Sequence, residues 1–387
     1  MSAKQRWQKT HKRVLVALGW YDYRLHRGIE RYALEHHWQL SATLARDQVL
    51  PWGWKGDGIL AWLGADERLV DFVVQARAPT VDFSFRRPQL KFARVLEDHA
   101  HAAQLVADHF VSRGFANFMF YSNTGNWTYQ ERGRGFSAAL ARSGHECAWL
   151  RWQLPPADRS GRAQWLRLTG WLADRLQAAP KPVAVFAAND SHALEVLDAC
   201  EMARLTVPEE VAIVGAENYL LAPEALPTPL SSVDTNLETM GYRGAKLLDD
   251  LMRGSQPPSA PIRVPAAGLV VRKSSDILAV NHRGVANSLR FIQERLHEPI
   301  SVEDLVKVAG MSRRALHQAF REHLGRTPGH EIQRARIDRA KRLLATTGHK
   351  LEVIATMCGY EGANSFCVAF GRLTGMTPDR YRKSVTL

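Results

Sequence analysis

The chain up to about Val270 alternates between short apolar segments and amphipathic segments. Apolar runs of about five residues are typical of buried strands, and the stretches between them have helical length and spacing. This alternation predicts parallel βαβ units with helices on both faces of each sheet. Because the alternating region is longer than one doubly wound domain, we expect two Rossmann-like lobes. The predicted strands begin at Val14, Gly58, Thr80, Phe118, Val183 and Val211.

Polar side chains follow these strands at their carboxyl ends, where open α/β sheets bind ligands. Carboxylate and carboxamide groups accept hydroxyl protons and aromatic rings cover C–H faces, so the combination indicates a small sugar or polyol. Each residue alone also fits a helix N-cap or a turn, which Asp and Asn favour at such junctions. The polar residues are Asp22, Asp82, Asn123, Asn189, Asp190, Glu217 and Asn218, and the aromatic ones are Trp20, Tyr21, Trp62, Phe83 and Trp127.

From Val285 onward the pattern predicts helices only. Ser301 and Ser312 fit the N-caps of two helices joined by a turn at Gly310, which is typical of a helix-turn-helix. The second helix carries basic and amide side chains away from its apolar stripe, as a helix that reads the DNA major groove requires. We predict DNA contacts from Arg313, Arg314, His317, Gln318 and Arg321.

The same plan recurs nearer the C-terminus. A basic helix predicted over residues 330–345 spans about 24 Å, which approaches the ~34 Å between successive major-groove windows. One chain can therefore present both second helices to one face of a duplex. A solvated surface is the alternative interpretation for the basic side chains of the connecting helix. These are Arg334, Arg336, Arg339, Lys341 and Arg342, and the weaker DNA contacts predicted from the second unit are Asn364, Ser365 and Arg372.

The positive charge of the chain is concentrated in this helical region. The net charge is +12, with 51 Lys and Arg against 39 Asp and Glu. The region from Asn281 to Leu387 holds 18 Lys and Arg against 10 Asp and Glu, which leaves 33 against 29 for the region from Met1 to Val280. A polyanion such as double-stranded DNA is therefore the expected partner of the C-terminal region.

The sequence carries none of the motifs that would indicate an enzyme or a cofactor site. GxGxxG, GxxxxGK[ST], GxSxG and HExxH are all absent. The four cysteines show no CxxC spacing, which indicates a reduced, cytoplasmic protein without a metal site. No apolar run approaches the roughly 20 residues of a membrane span. We therefore expect no catalytic residue, no cofactor, no metal and no membrane partner.

The C-terminal segments GMSRRALHQAF and VIATMCGYEGANSFCVAFGRLTGMTPDRYR closely resemble the AraC/XylS family of transcription regulators. The resemblance covers residues 285–383 and implies an all-α DNA-binding domain with two helix-turn-helix units. Gly371 replaces the basic residue that the family commonly has before Arg372.

The alternating N-terminal region resembles the effector domains of the LacI/GalR family, which are themselves similar to periplasmic sugar-binding proteins. The segments that carry the resemblance are ERGRGF, AAND, VAIVGAEN and LSSVDTN. The resemblance implies that Arg132, Asp190 and Glu217 bind the effector, although the family usually has Asp where Glu217 stands. YDYRLHRGIERYA further resembles a ligand loop of xylose-responsive regulators. The implied effector residues are Tyr21, Asp22, Arg132, Asp190, Glu217 and Asn218.

The sequence therefore predicts a cytoplasmic, sugar-responsive transcription regulator. We expect an α/β two-lobed, periplasmic-binding-protein-like domain over residues 1–275, a linker over 276–284 and the DNA-binding domain over 285–387. The interpretation is an activator of xylose or other pentose genes that binds DNA as a homodimer and acts on RNA polymerase. A different sugar or polyol as the effector, and repression in place of activation, are the alternatives.

Overall fold

The computed structural model describes residues 11–42, 49–123, 126–152, 161–219, 226–279 and 282–385. The chain divides into two compact units. The first contains residues up to Asp98 together with Asn236–Pro265, and the second contains His99–Thr235 and the residues from Ala266 onward. The chain passes between the units three times, after Asp98, Thr235 and Pro265.

Twelve strands lie in the described residues. They are β1 (Arg13–Leu18), β2 (Gln39–Ser41), β3 (Gly58–Trp62), β4 (Thr80–Asp82), β5 (Ala93–Glu97), β6 (Asn117–Ser122), β7 (Ala148–Arg151), β8 (Val183–Ala187), β9 (Val211–Ala216), β10 (Ser231–Asp234), β11 (Ile262–Val264) and β12 (Gly268–Val270).

The α-helices of the same described residues lie between the strands and then follow them. They are α1 (Tyr23–Glu35), α2 (Glu67–Ala76), α3 (His99–Ser112), α4 (Trp127–Arg142), α5 (Gly161–Ala178), α6 (Asp190–Ala203), α7 (Leu237–Met252), α8 (Arg283–Arg295), α9 (Val302–Ala309), α10 (Arg313–Leu324), α11 (Pro328–Thr346), α12 (Leu351–Met357), α13 (Ala363–Thr374) and α14 (Pro378–Val385).

The first unit is a parallel sheet in the order β11-β5-β4-β3-β1-β2. Its strands are apolar on both faces: Val14 and Val16 lie in one core cluster, while Leu15 and Ala17 lie in another. Burial of alternate residues in two separate clusters requires helices on both faces of the sheet, as the continuous apolar strands predicted.

The second unit begins with a sheet in the order β12-β10-β9-β8-β6-β7. Its pairs are parallel except for β12, which runs antiparallel to β10. We call this α/β part, residues 99–235 and 266–279, the second lobe. Its strand β8 is fully buried from Val183 to Ala187, which makes it the centre of the lobe.

The rest of the second unit, residues 283–385, is the helical module. The pair α9 and α10 and the pair α12 and α13 form its two helix-turn-helix units, with α11 between them. The first helix-turn-helix packs around Phe320, and the second helix-turn-helix packs around Phe366 and Phe370. All three side chains are without exposed surface. We call α10 and α13 the reader helices.

Local signals that were visible in the sequence set the helix boundaries in the module. The Ser301 hydroxyl accepts a hydrogen bond from the backbone N–H of Asp304, and the Asp304 carboxylate accepts one from the backbone N–H of Ser301. The two bonds form a capping box. Gly310 ends α9 with φ 64°, a conformation that favours glycine. Ser312 caps α10 through the N–H of Ala315. The predicted cap residues are confirmed.

The predicted fold class is confirmed, with two Rossmann-like lobes followed by helices only. The strand predicted from Thr80 is shorter than expected and ends at Asp82. The prediction that Phe83 faces a ligand is wrong, because Phe83 is only 1% exposed and its ring fills the space over Gly244 in the core. The division into effector domain, linker and DNA-binding domain stays a prediction. Within the predicted linker, residues 280 and 281 lie outside the described part of the chain, and α8 already begins at Arg283.

The close packing of α1 against α7 in the first unit can be tested by substitution of Gly28. A Cβ atom built on Gly28 would lie 2.0 Å from the backbone oxygen of Glu238, so an Ala side chain would force the helices apart. We expect Gly28→Ala to lower the free energy of unfolding by about 1–3 kcal/mol. Gly170 in α5 has open space around it and is the control, for which Ala should be neutral or stabilising by up to about 1 kcal/mol. Urea unfolding followed by tryptophan fluorescence measures both, and equal effects would contradict the packing.

Candidate effector site and DNA-binding surface

In the first unit, the loop after β1 places Tyr21 and Asp22 at the start of α1. The Asp22 carboxylate is buried and accepts bonds from the backbone N–H of Arg24 at 2.8 Å and from its Nη2 at 2.9 Å. Tyr21 is exposed, with its hydroxyl 3.0 Å from Nδ1 of His26. The cap interpretation of Asp22 is confirmed, and a ligand contact by the same side chain stays a prediction.

Asp82, at the end of β4, is a second buried carboxylate of the first unit. Its Oδ1 accepts from the backbone N–H groups of Leu63 at 3.2 Å and Ser84 at 2.9 Å. Its Oδ2 has no hydrogen-bond partner among the described residues and lies 3.7 Å from Nε of Arg94. Burial raises the pKa of Asp82 to about 7, against the lowering effect of those bonds and of Arg94. Asp82 therefore fixes the loops after β3 and β4.

Arg132 is the centre of the polar cluster in the second lobe. It projects from α4, has no exposed surface, and donates from Nη1 to the backbone oxygen of Ala188 at 2.6 Å and to Oε1 of Glu217 at 3.0 Å. Its Nε lies 3.3 Å from Nδ1 of His99, the first residue of α3. A buried guanidinium requires such partners, because its charge is removed from water. Arg132 thus connects three elements: the end of β8, the start of α3, and the loop that follows β9.

Asp190 lies at the same edge of the sheet and controls the loop after β9. Its carboxylate accepts from Oγ of Ser232 at 2.5 Å and from the backbone N–H of Tyr219 at 2.8 Å. Gly215 is required beside it, since a Cβ there would lie 2.3 Å from Oδ1 of Asp190. The bond to Tyr219 fixes the residues just before it, Glu217 and Asn218, which have φ values of 95° and 47°.

Asn218, next to Glu217 in the chain, is held by Arg272 and Ser232. Its Oδ1 accepts from Nη1 and Nη2 of Arg272, both at 3.2 Å, and its backbone N–H donates to Oγ of Ser232. The structure therefore brings Arg132, Glu217 and Asp190 to one edge of the second lobe, and it gives Asn218 a positioning contact there. Their predicted contacts with an effector stay predictions.

His192 belongs to this cluster and was not identified in the sequence. Its ring nitrogen Nε2 lies 2.5 Å from Oδ1 of Asn123, and Nδ2 of Asn123 donates to Glu195 at 2.9 Å. Since Asn123 uses its amide N–H toward Glu195, Nε2 of His192 is the donor and Nδ1 keeps a lone pair. Nδ1 is buried without a hydrogen-bond partner among the described residues. It is therefore a ready acceptor for a hydroxyl group.

The ring of His192 is enclosed by Tyr121 and Tyr129, at centroid distances of 5.6 and 5.0 Å. Burial, reinforced by the charge of Arg132, lowers the pKa of His192 to about 4. His99 was also missed, since its spacing fits no motif. His99 follows β5, a strand that the sequence analysis did not predict, and His192 lies inside the first turn of α6. The search for polar residues after predicted strands therefore found neither of them.

On the first reader helix, α10, three predicted contact residues share one exposed face. Arg314, Gln318 and Arg321 follow one another at i, i+4 and i+7, and Gln318 donates to Glu322 at 2.8 Å. Arg313 is exposed on another face and pairs with Glu303 of α9 at 2.5 Å. The exposed face combines guanidinium and amide groups, which suit guanine, adenine and phosphate.

His317 is less accessible than predicted. Its side chain is only partly exposed, and its Nε2 is buried without a hydrogen-bond partner among the described residues. On the second reader helix, α13, Asn364 and Ser365 are exposed, and Arg372 is exposed in the last turn. Both reader helices thus present an accessible polar face.

The basic helix α11 does not have the fully solvated surface that its composition allows. Arg336 donates to the backbone oxygen of Glu298 at 3.1 Å and lies over the ring of Tyr360. Arg334 donates to Glu331 at 3.0 Å and to Asp338 at 2.9 Å. Two of the predicted basic residues therefore stabilise the protein itself.

Glu331 is the buried centre of the contact between the helical module and the second lobe. Its carboxylate is 3% exposed and is held by Arg334 and by Nε of Arg326. Burial alone would raise the pKa of Glu331, but the two guanidinium groups outweigh burial and hold the pKa below its usual range. Glu331 is therefore ionised in the folded protein.

The same guanidinium groups reach the carboxyl end of α3 in the second lobe. Arg326 donates from Nη2 to the backbone oxygen of Val111 at 3.3 Å, and Nη1 of Arg334 lies 3.5 Å from the backbone oxygen of Asp108. Cations are stabilised there by the negative end of the helix dipole. The helix whose first residue contacts Arg132 thus ends against the helical module.

Comparison with known proteins defines the class of the chain. Residues 107–275 match the model of the periplasmic binding protein-like domain, and residues 305–384 match a helix-turn-helix domain model. The chain is therefore a DNA-binding transcription regulator with a periplasmic-binding-protein-like domain before a helix-turn-helix domain, and it is not an enzyme.

The chain is similar to the xylose operon regulatory proteins over most of its length. It is 26% identical to that of Escherichia coli (strain K12) over 85% of this chain and 84% of the relative, and 27% identical to that of Haemophilus influenzae over 84% of each. The solved structure of the xylose-binding transcription activator xylR matches 97% of this chain and 99% of its own, with a TM-score of 0.58 and 24% identity. A LacI family regulator from Enterococcus faecalis with bound ribose matches 68% of this chain and 98% of its own, with a TM-score of 0.52 and 17% identity.

Within the described ranges, no three His, Cys, Asp or Glu side chains are arranged to hold a metal ion. Over the same residues, no helix has the length and apolar character needed to cross a membrane.

The low pKa of His192 predicts an acid sensitivity of the second lobe. The folded protein binds a proton at His192 only near pH 4, whereas the unfolded chain does so near pH 6.5. Its contribution to stability is therefore complete above pH 6.5 and is lost as the pH falls toward 4. We expect the free energy of unfolding of the native chain to fall between pH 7.5 and 5.0 by about 2 kcal/mol more than that of His192→Gln.

Urea unfolding at the two pH values measures this difference. The control is His297→Gln, which replaces a half-exposed histidine after α8 and should keep the native pH dependence. If His192→Gln loses as much stability in acid as the native chain, the imidazole is not held neutral by the cluster.

Proposed function

We propose that this chain is a pentose-responsive transcription activator whose effector is D-xylose or a related pentose. The observation that carries the proposal is the ion pair between the buried Arg132 and the partly exposed Glu217 at the carboxyl edge of the second sheet, in a protein that also presents two reader helices. Such a pair can both donate hydrogen bonds to and accept them from an uncharged, hydroxyl-rich ligand. The similarity to xylose operon regulatory proteins supports the choice of sugar.

Each unit has its own candidate sugar-binding residues. In the second lobe, Glu217 accepts from a sugar hydroxyl while Arg132 donates to a sugar oxygen, and Nδ1 of His192 adds a further acceptor. Asp190 and Asn218 act mainly by holding the loop that carries Glu217. In the first unit, Tyr21 offers an exposed ring and hydroxyl, and Asp22 a carboxylate. These roles rest on burial and hydrogen-bond geometry within each unit.

The reader helices would bind successive major-groove segments of an operator. On α10, the base and phosphate contacts come from Arg314, Gln318 and Arg321, with Arg313 and His317 beside them. On α13 they come from Asn364, Ser365 and Arg372. We propose that two chains bind as a homodimer to repeated half-sites and that the bound dimer acts on RNA polymerase. The effector domain extends over residues 1–275, the linker over 276–284 and the DNA-binding domain over 285–387.

Helix α3 supplies a direct route from the effector to the DNA. Its first residue, His99, contacts Arg132, and the backbone oxygens of Asp108 and Val111 near its end receive Arg334 and Arg326 of the helical module. A helix of 14 residues is about 21 Å long and moves as one piece. A sugar that shifts Arg132 therefore shifts the surface on which α11 rests.

Replacement of Glu217 tests the proposed effector site. In Glu217→Gln the side chain keeps its shape and an acceptor for Arg132 but loses its charge. We expect xylose to raise the melting temperature of the native chain. In Glu217→Gln the Kd for xylose should rise at least about tenfold, because a hydrogen bond to a charged group is worth roughly 1.5–3 kcal/mol. A thermal-shift panel of pentoses, hexoses and polyols, followed by calorimetry, measures both effects.

The matched control is Glu209→Gln, which changes an exposed carboxylate at the opposite end of β9 and should leave sugar binding unchanged. DNA binding without sugar should be the same in all three proteins. Unchanged sugar affinity in Glu217→Gln would remove Glu217 from the site, and a panel without any stabilising sugar would contradict the proposed function.

A further inference from the structure

The two reader helices differ in the chemistry of their exposed faces. The exposed face of α10 carries Arg314, Gln318 and Arg321, which are mostly cationic. On α13 the exposed side chains are Asn364, Ser365 and Val368, and a cation appears only in the last turn, at Arg372. The first face suits guanine and phosphate along its length, whereas on the second only Arg372, in the last turn, offers a cation to either.

Val368 is unusual among the apolar residues of the module. Its surface is 73% exposed, while Phe366 and Phe370 on the same helix have none. It follows Asn364 by four residues and Ser365 by three, so all three lie on the same face of α13. A β-branched side chain is a poor helix former and gains nothing by facing water, so packing within the chain does not account for it.

We propose that Val368 is a specificity-determining residue that contacts the C5-methyl group of a thymine in the operator. This inference rests on the proposed DNA-binding function and goes beyond it by assigning A·T pairs to the segment that α13 reads. Thymine alone presents a methyl group in the major groove, and apolar side chains recognise it there.

The neighbouring residues fit the same assignment. The Asn364 amide matches the donor and acceptor pair of adenine, and four helical residues span about 6 Å, close to two base-pair steps. Ser365 donates to the backbone oxygen of Gly362 at 2.9 Å and keeps its acceptor lone pairs outward. The operator is therefore divided into a segment read by the cationic α10 and an A·T segment read by α13.

Deoxyuridine, which is thymidine without its methyl group, provides the test. The full-length chain first selects its site from randomised DNA duplexes, and each thymidine of that site is then replaced by deoxyuridine. At one thymidine of the α13 segment, we expect the replacement to weaken native binding about fourfold, the effect of one buried methyl group. Val368→Ala should bind the unmodified site about fourfold more weakly and show no further loss with deoxyuridine.

The control variant is Val353→Ala, at a 44% exposed valine on α12, which should keep the native response to deoxyuridine. Native deoxyuridine sensitivity in Val368→Ala would overturn the inference. So would unchanged DNA affinity combined with a loss of transcription, which would assign Val368 to a protein partner. Failure of the native chain to select any site would instead contradict the proposed function.

Discussion

The buried carboxylate of Glu331 sets the arrangement of the second unit. Removing a carboxylate from water costs several kcal/mol unless cations replace its hydration, and Arg326 and Arg334 do so here. The same two guanidinium groups reach the backbone oxygens of α3, so neutralisation of Glu331 also fixes the helical module on the second lobe. Since loss of both guanidinium groups would leave the Glu331 carboxylate buried and unpaired, we infer that the contact changes between discrete arrangements and does not slide.

The contact around Glu331 offers a physical basis for a change of DNA binding in response to an effector. A sugar can change DNA binding only if its affinity differs between two arrangements of the protein. With the proposed effector site, Arg132 of α4, whose Nε contacts the first residue of α3, would respond to occupancy of the strand edge. The carboxyl end of α3 contacts the helical module. A small displacement at Arg132 would therefore reach the reader helices through one helix, without a long chain of side-chain contacts.

The sequence predicted those parts of the protein that depend on local pattern. Apolar runs located the central strands, and Ser301, Gly310 and Ser312 located the helix boundaries, since caps and turns depend on a few neighbouring residues. It did not predict the short edge strands such as β2, whose three residues carry no pattern. Nor could it show that Arg334 faces Asp108, which lies 226 residues away, or that His192 contacts Asn123, because those contacts depend on tertiary packing.

The coupling between sugar and DNA in a variant of the α3 contact tests this account most directly. Arg326→Met keeps the aliphatic stem, and Arg334 remains to neutralise Glu331, while the contact with Val111 is lost. In the native chain, the ratio of DNA Kd values with and without xylose should be about 5–150 and should equal the ratio of xylose Kd values with and without DNA. We predict that Arg326→Met binds each ligand alone normally but has a ratio near one, whereas Arg295→Met, at an exposed arginine of α8, keeps the native ratio. An unchanged ratio in Arg326→Met would contradict the proposed role of α3.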